Sequence, residues 1–238
     1  MPIHDVRLVR REPIARETMA FYFEKPKGFD YRAGQFGDIT LIDPPETDDE
    51  GNVRGFSFIT APFESEIGFA TRLRDTAFKR VLRNLAPGSE VKLDAPYGDF
   101  TLPRKESRPA VFLIGGIGAT PVRSIVAQAT HDRTGHRVLL LHANRSIDDA
   151  PFQADFLRFA EQNPNFRFVP VVTDAVPPSW KGESGRIAAA TIRRWVPQLA
   201  EPTWYLSGPE GMVKAMRRLL VEMEIDEDDI RTEEFAGY

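Results

Sequence analysis

The chain has 238 residues, of which 42% are hydrophobic and 28% charged, enough for one large domain or two small ones and unlike a disordered or fibrous composition. A net charge of −4, split evenly at Arg104, excludes nucleic acid as the main partner, because phosphate backbones select basic surfaces. The absence of cysteine excludes disulfides, a thiol nucleophile, a cysteine zinc site and a thiolate-held iron–sulfur cluster, so redox chemistry here needs a bound organic cofactor. Met1 to Arg7 lacks the layout of a signal peptide and no apolar run reaches the ~18 residues of a membrane span, so a cytoplasmic protein with no membrane span is expected.

Residues 1–104 read as short strands: Val6 to Arg11, Thr18 to Glu24, Phe36 to Leu41, Gly55 to Thr60, Ile67 to Leu73 and Glu90 to Asp94. Gly, Pro and Asp clusters at 29–34 and 43–51 separate them, and an antiparallel six-stranded β-barrel is the expected result. One helix interrupts the strands, with Asp75 as the expected N-cap, Phe78, Val81, Leu82 and Leu85 on one face, and Pro87-Gly88 as the stop. Arg104 to Pro109 contains no apolar side chain except its proline and reads as the linker. Residues 105–238 then alternate strand and helix. The strands are Ala110 to Ile114, Val138 to His142, Phe166 to Thr173 and Trp204 to Leu206; the helices are Pro121 to Thr130, Pro151 to Gln162, Ala188 to Val196 and Gly211 to Met223. This is the pattern of an α/β doubly wound parallel sheet, which binds ligands at the carboxyl ends of its strands. Between Glu222 and Glu234 lie eight carboxylates and one base, Arg231; a solvated helix end and turn is the expected reading, with a docking patch for a basic partner as the alternative.

The strongest local signal is Gly115-Gly116-Ile117-Gly118-Ala119-Thr120-Pro121, set between a buried strand and a helix. Glycines there let backbone N–H groups close on a phosphate, the helix dipole favours the anion, and Pro121 suits the first helical turn. Ser207-Gly208-Pro209, followed by Met212, repeats the arrangement at the last strand of the same sheet edge. In the barrel, Arg54-Gly55-Phe56-Ser57 offers a guanidinium for phosphate, a ring for stacking and a hydroxyl. Arg72, Arg74 and Lys79 cluster around the start of the Asp75 helix, where the helix dipole adds to their charge. The four histidines show no metal-binding spacing, so no metal site is expected.

In order and spacing these elements resemble the ferredoxin–NADP reductase superfamily over essentially the whole chain. Arg54 to Ser57 is similar to its R-x-[YF]-[ST] flavin motif, Gly115 to Pro121 to its G-G-x-G-x-T-P nicotinamide-nucleotide motif, and Ser207-Gly208-Pro209 to its C-G-P motif. The resemblance implies a flavin-binding barrel at 1–104, an NAD(P)-binding α/β domain at 105–238, and hydride transfer between NAD(P)H and flavin at their cleft. It implies catalytic roles for Ser57 and Ser207. Flavin contacts are expected from Arg54, Phe56, Ser57, Arg72, Arg74, Thr76 and Lys79. Nucleotide contacts are expected from Gly115, Gly116, Gly118, Thr120, Pro121, Asn144, Arg145, Ser207, Gly208, Pro209 and Met212.

Three departures bear on this reading. Ser207 replaces the usual cysteine and Phe56 the commoner tyrosine. The segment 71–80 lacks the glycine often found at the FAD diphosphate turn, so Asp75-Thr76 would supply the N–H groups, and FMN stays open beside FAD. Arg145 leans toward the 2′-phosphate of NADPH, with Asp148 and Asp149 as ribose partners in the NADH alternative. Electrons would pass to a separate protein, such as a ferredoxin, haem protein or oxygenase component, or to a small molecule. The rival expectation is a non-turning-over electron-transfer or regulatory module docking on a larger complex. The aromatic chain end, Phe235 and Tyr238, would lie against the flavin ring and gate the nicotinamide.

Overall fold

The computed structural model describes residues 3–174 and 176–235. Its first half is an antiparallel sheet of β1 (Ile3–Ala15), β2 (Thr18–Glu24), β3 (Phe36–Leu41), β4 (Val53–Ser57), β5 (Glu66–Arg72) and β6 (Glu90–Tyr97). The strand order is β4-β3-β6-β1-β2-β5. An antiparallel bridge between Phe58, just beyond β4, and Phe69 of β5 joins the two edges, so the sheet closes on itself as the short-strand pattern predicts. Phe21, Phe23, Ile39, Phe58, Phe69 and Leu93 fill the interior.

The expected strand Gly55 to Thr60 stops instead at Ser57. Beyond it the chain changes partner: Phe58 N–H bonds to Gln35 O and Ile59 N–H to Gly68 O. The helix α1 (Ala77–Asn84) is capped by Thr76, not by Asp75. The Thr76 hydroxyl accepts from Lys79 N–H at 3.4 Å, while the Asp75 carboxylate accepts from the Arg80 guanidinium at 2.6 Å; a nearby cation outcompetes the backbone for the aspartate.

The second half is an entirely parallel sheet in the order β10-β9-β8-β7-β11-β12. Four of its strands match the expected ones: β7 (Ala110–Gly115), β8 (Val138–Asn144), β9 (Phe166–Val172) and β11 (Thr203–Pro209). Two were not expected, β10 (Glu183–Ser184) and β12 (Ile230–Phe235). The latter corrects the reading of 222–234 as only a helix end and turn. Helices α2 (Ala119–Asp132), α3 (Gln153–Gln162), α4 (Ala189–Trp195) and α5 (Glu210–Glu222) connect the strands. No helix among the described residues is long and apolar enough to cross a membrane.

A single apolar cluster runs through both halves, joining Ala20, Tyr22 and Ile59 of the barrel to Phe112, Val122 and Ile125 of the parallel sheet and its helix. The two halves therefore share a core, with α2 and one face of the parallel sheet packed against the barrel.

Candidate functional site

On the barrel side, Arg54 on β4 projects to the start of α1. Its guanidinium lies 5.2 Å from the Phe78 ring centroid and donates to the Glu50 carboxylate at 2.7 Å and, at 3.4 Å, to Asp48. Asp48 also accepts the Ala77 N–H at 3.1 Å. A carboxylate thus sits at the first turn of α1 beside an arginine, where both the free N–H groups and the helix dipole favour an anion. The Thr76 N–H is bonded to Arg74 O, so the Asp75-Thr76 pair does not present two free donors. Arg72 lies 3.7 Å from Glu17 and its Nε is buried without a partner. Arg74 is exposed, and Lys79 is half-buried with its pKa lowered by burial and by the charges of Arg74 and Arg54. Phe56 is half-buried and packs against Phe69 and Phe78 at centroid distances of 6.2 and 5.9 Å.

On the sheet side, Gly115 ends β7, residues 116–118 make one 3-10 turn, and Thr120 and Pro121 fall in the first turn of α2. The Thr120 hydroxyl donates to Ile117 O at 3.1 Å and so holds the turn. The glycines have a second reason to be glycines. A Cβ on Gly118 would stand 2.3 Å from Ser207 O, and one on Gly208, where φ is +142°, 2.7 Å from Gly115 O. The two turns pack backbone against backbone. Met212 lies over Gly115, and Pro209 precedes the first residue of α5.

Sequence reasoning did not single out His142, which is fully buried on β8. Its Nε2–H donates to Gly116 O at 2.8 Å, an assignment the carbonyl acceptor requires. Burial lowers its pKa to about 4, so it supports the turn as a neutral ring. Asn144, at the end of β8, is buried with Oδ1 unpartnered. Arg145 is exposed beyond it. Asp148 and Asp149 face the barrel, 3.3 and 3.7 Å from Arg16.

The two sides meet at Glu233. In the β11–β12 ladder Glu233 pairs in register with Ser207, which is completely buried and has no partner for its hydroxyl. Across the interface the Ser57 hydroxyl donates to Glu233 Oε1 at 2.9 Å. The other carboxylate oxygen is buried and unpartnered. Burial, only partly offset by the Ser57 bond, raises the Glu233 pKa to about 7. Ser57, Glu233 and Ser207 thus form a row that joins the barrel motif to the carboxyl edge of the parallel sheet. The sequence reading gave Glu233 no role because it lies in an acidic stretch; the signal available was its position two residues before Phe235. Phe235 closes β12 in register with Pro209. Tyr238 lies outside the described residues.

Residues 112–218 match the family model described as Oxidoreductase NAD-binding domain. Over the whole chain, the reductase component of propane 2-monooxygenase from Rhodococcus jostii is 26% identical, and the chain spans 65% of its length. A flavohemoprotein from Oceanobacillus iheyensis is 23% identical across 98% of the chain and 59% of its own length. Among solved structures, a cytochrome P450 reductase from Amycolatopsis superposes with a TM-score of 0.82 at 26% identity, covering 98% of this chain and 70% of that one. A ferredoxin NADP+ reductase from Neisseria gonorrhoeae with bound FAD and NADP has a TM-score of 0.78 at 21% identity and 98% coverage of both chains. In fold, and in sequence over residues 112–218, the chain is similar to the ferredoxin–NADP reductase-like flavoprotein reductases, the likeness the motifs implied. The family-model match falls within its parallel-sheet half.

Proposed function

We propose that this chain is a flavin-dependent NAD(P)H oxidoreductase that delivers electrons to an acceptor outside these 238 residues. The observation that carries the reading is the Ser57–Glu233–Ser207 row. It brings a flavin-motif hydroxyl, a carboxyl that titrates near neutrality and a buried, unpartnered hydroxyl to the end of the sheet where α/β folds bind nucleotides.

The residues present fit both cofactors. Arg54, Arg72, Arg74 and Lys79 provide positive charge beside the first turn of α1 for the flavin phosphates, and FAD is the form named in the Neisseria structure. The unpartnered atoms Ser207 Oγ, Asn144 Oδ1 and Glu233 Oε2 are donors and acceptors that a ligand at the sheet edge would satisfy. The glycine turn and α2 offer their N–H groups to the nucleotide pyrophosphate. Arg145 is the cation placed for a 2′-phosphate, and the pairing of Asp148 and Asp149 with Arg16 favours NADPH over NADH. The division of labour follows: residues 1–104 for the flavin, 105–238 for the nicotinamide nucleotide.

A bound flavin supplies the two-electron acceptance from nicotinamide and the stepwise release to an acceptor. Ser57, whose hydroxyl is held by Glu233, would offer that hydroxyl to the flavin ring. Glu233 controls that orientation: as a carboxylate it accepts the Ser57 proton bond, and as an acid it donates to Ser57 Oγ and frees the Ser57 O–H to point elsewhere. Ser207, at the carboxyl end of its strand, would stand on the nicotinamide side of the site. Phe56, half-buried against Phe69 and Phe78, would give the flavin an apolar face. The relatives named as reductase components of monooxygenases make an oxygenase component the first acceptor class to test.

The test is direct. Purified protein titrated with FAD and FMN, then mixed anaerobically with NADPH or NADH, should bind the flavin and lose its absorbance near 450 nm on the order of seconds or faster. A protein that binds neither flavin refutes the reading. A bound flavin that neither nucleotide bleaches would favour the non-turning-over module instead.

A further inference from the structure

Besides the Ser57–Glu233 bond, a second buried charge system crosses the interface between barrel and parallel sheet. Arg123, on the first turns of α2, is 9% exposed. Its Nη1 donates to Ile59 O at 2.8 Å and to Glu64 Oε2 at 2.8 Å, both in the barrel, and its Nε donates to Asp155 Oδ2 of α3 at 2.9 Å. The same Glu64 oxygen accepts the Ala61 N–H. Beside it the Ser124 hydroxyl donates to Thr60 O at 2.6 Å, an oxygen that also accepts the Tyr31 hydroxyl.

We infer that Arg123 is a positioning residue that sets the separation between the flavin half and the nicotinamide half of the site. The inference rests on the proposed reaction. Apolar packing is non-directional and tolerates small slips, whereas a planar guanidinium holding a carbonyl and two carboxylates fixes distance and angle. What it fixes is specific. Ile59 lies two residues beyond Ser57 on the same extended segment, and Arg123 lies two residues beyond Pro121 on the helix that opens from the glycine turn. The guanidinium therefore ties the backbone that carries the flavin-motif hydroxyl to the rigid element that carries the phosphate turn. Glu233 makes the other tie to the same segment, at Ser57. Hydride transfer depends steeply on the approach of donor and acceptor, and a misplacement of about 1 Å costs on the order of a hundredfold. A buried ion pair that adds little net stability can still specify one geometry.

The test compares Arg123→Met, Arg123→Lys, Glu64→Gln and Asp155→Asn with the wild type. Three quantities are measured: flavin and nucleotide dissociation constants, the limiting rate of flavin reduction at saturating nucleotide, and amide exchange over residues 59–64 in the protein without added cofactor. Arg123→Met is expected to hold both dissociation constants within about twofold, to slow the limiting rate by about tenfold or more, and to speed exchange at Ala61. Arg123→Lys, which keeps the charge without the fork, should recover part of the rate. If Arg123→Met does not fold, Glu64→Gln and Asp155→Asn carry the test with the same expected direction. A lowered melting temperature with an unchanged limiting rate well below it would assign Arg123 to stability alone and overturn the inference. Should the wild-type flavin never be bleached by either nucleotide, the proposed reaction fails on its own evidence. The tie is then judged by exchange at 59–64, and unchanged protection in Arg123→Met overturns it.

Discussion

Replacing Glu233 by glutamine should change how stability depends on pH, and the sign follows from two buried groups that oppose one another. Burial raises Glu233 from 4.5 to about 7 in the folded protein, so folding favours its protonated form. The stability this gives is fully present below the unfolded pKa and is lost as pH rises through the folded one. Between pH 5 and pH 8 the loss amounts to about 2.5 kcal/mol. Burial lowers His142 from 6.5 to about 4, so folding favours its neutral form, and over the same interval stability rises by about 2 kcal/mol. The wild type should therefore be nearly flat from pH 5 to pH 8. Glu233→Gln removes only the falling component and leaves the histidine's rise. Glutamine keeps an acceptor for Ser57 and adds a constant penalty for its buried amide, which shifts the curve without tilting it. Urea denaturation at unit steps of pH, read as the difference between variant and wild type, should show the variant gaining about 2.5 kcal/mol across the interval. A difference that does not vary with pH would mean that Glu233 titrates as an ordinary exposed carboxylate, and the account of the Ser57 row would be wrong.

Other outcomes follow from the same geometry. Arg54→Ala and Asp48→Asn should move flavin affinity in opposite directions, each by about tenfold in a fluorescence titration, because the Asp48 carboxylate occupies the N–H and the guanidinium that a flavin phosphate would use. Gly118→Ala drives a methyl to within 2.3 Å of Ser207 O; denaturation should show a loss of about 1–3 kcal/mol or more, and nucleotide binding should fail while flavin binding survives. Ser207→Ala removes a buried hydroxyl that has no partner, so the melting temperature should hold or rise while flavin reduction slows. Arg145→Ala should erode a preference for NADPH over NADH; equal kcat/KM ratios before and after would remove Arg145 from nucleotide selection.

What could be read from sequence depended on how local the cause was. Ala110 to Ile114 announces itself as a strand because both its faces are buried and every position is apolar. The glycine turn is legible for the same reason, since its neighbours in sequence are its neighbours in space. β12 escaped notice because four of its six residues, Arg231, Thr232, Glu233 and Glu234, are polar or charged, as an edge strand with a half-exposed face allows. The short β10 carries no pattern at all. Asp75 was expected to cap α1 because aspartate does so in isolation; a single arginine drew it away. The packing of Gly118 on Ser207 and Gly208 joins segments far apart in the chain, and no window of residues could have disclosed it.

The same distinction separates the motifs from the residues that connect them. On the proposed reading, Arg54 to Ser57 and Gly115 to Pro121 would define what each half binds, but hydride transfer would need the two bound groups at one distance, and neither motif sets that distance. The ties between them come from Glu233, half-buried in an otherwise solvated acidic stretch, and from Arg123, which in sequence is one basic residue in an apolar helix. Both are charged groups in an apolar interface, where each costs desolvation unless its partners are correctly placed. That cost is what makes them selective: a slipped interface would leave the Arg123 guanidinium or the Glu233 carboxyl buried without its partner, whereas slipped leucines would only repack. On the proposed reading, the relative placement of flavin and nicotinamide would be encoded in the least motif-like residues of the chain, and substitutions there should alter rate at constant cofactor affinity, while substitutions within the motifs should alter affinity itself.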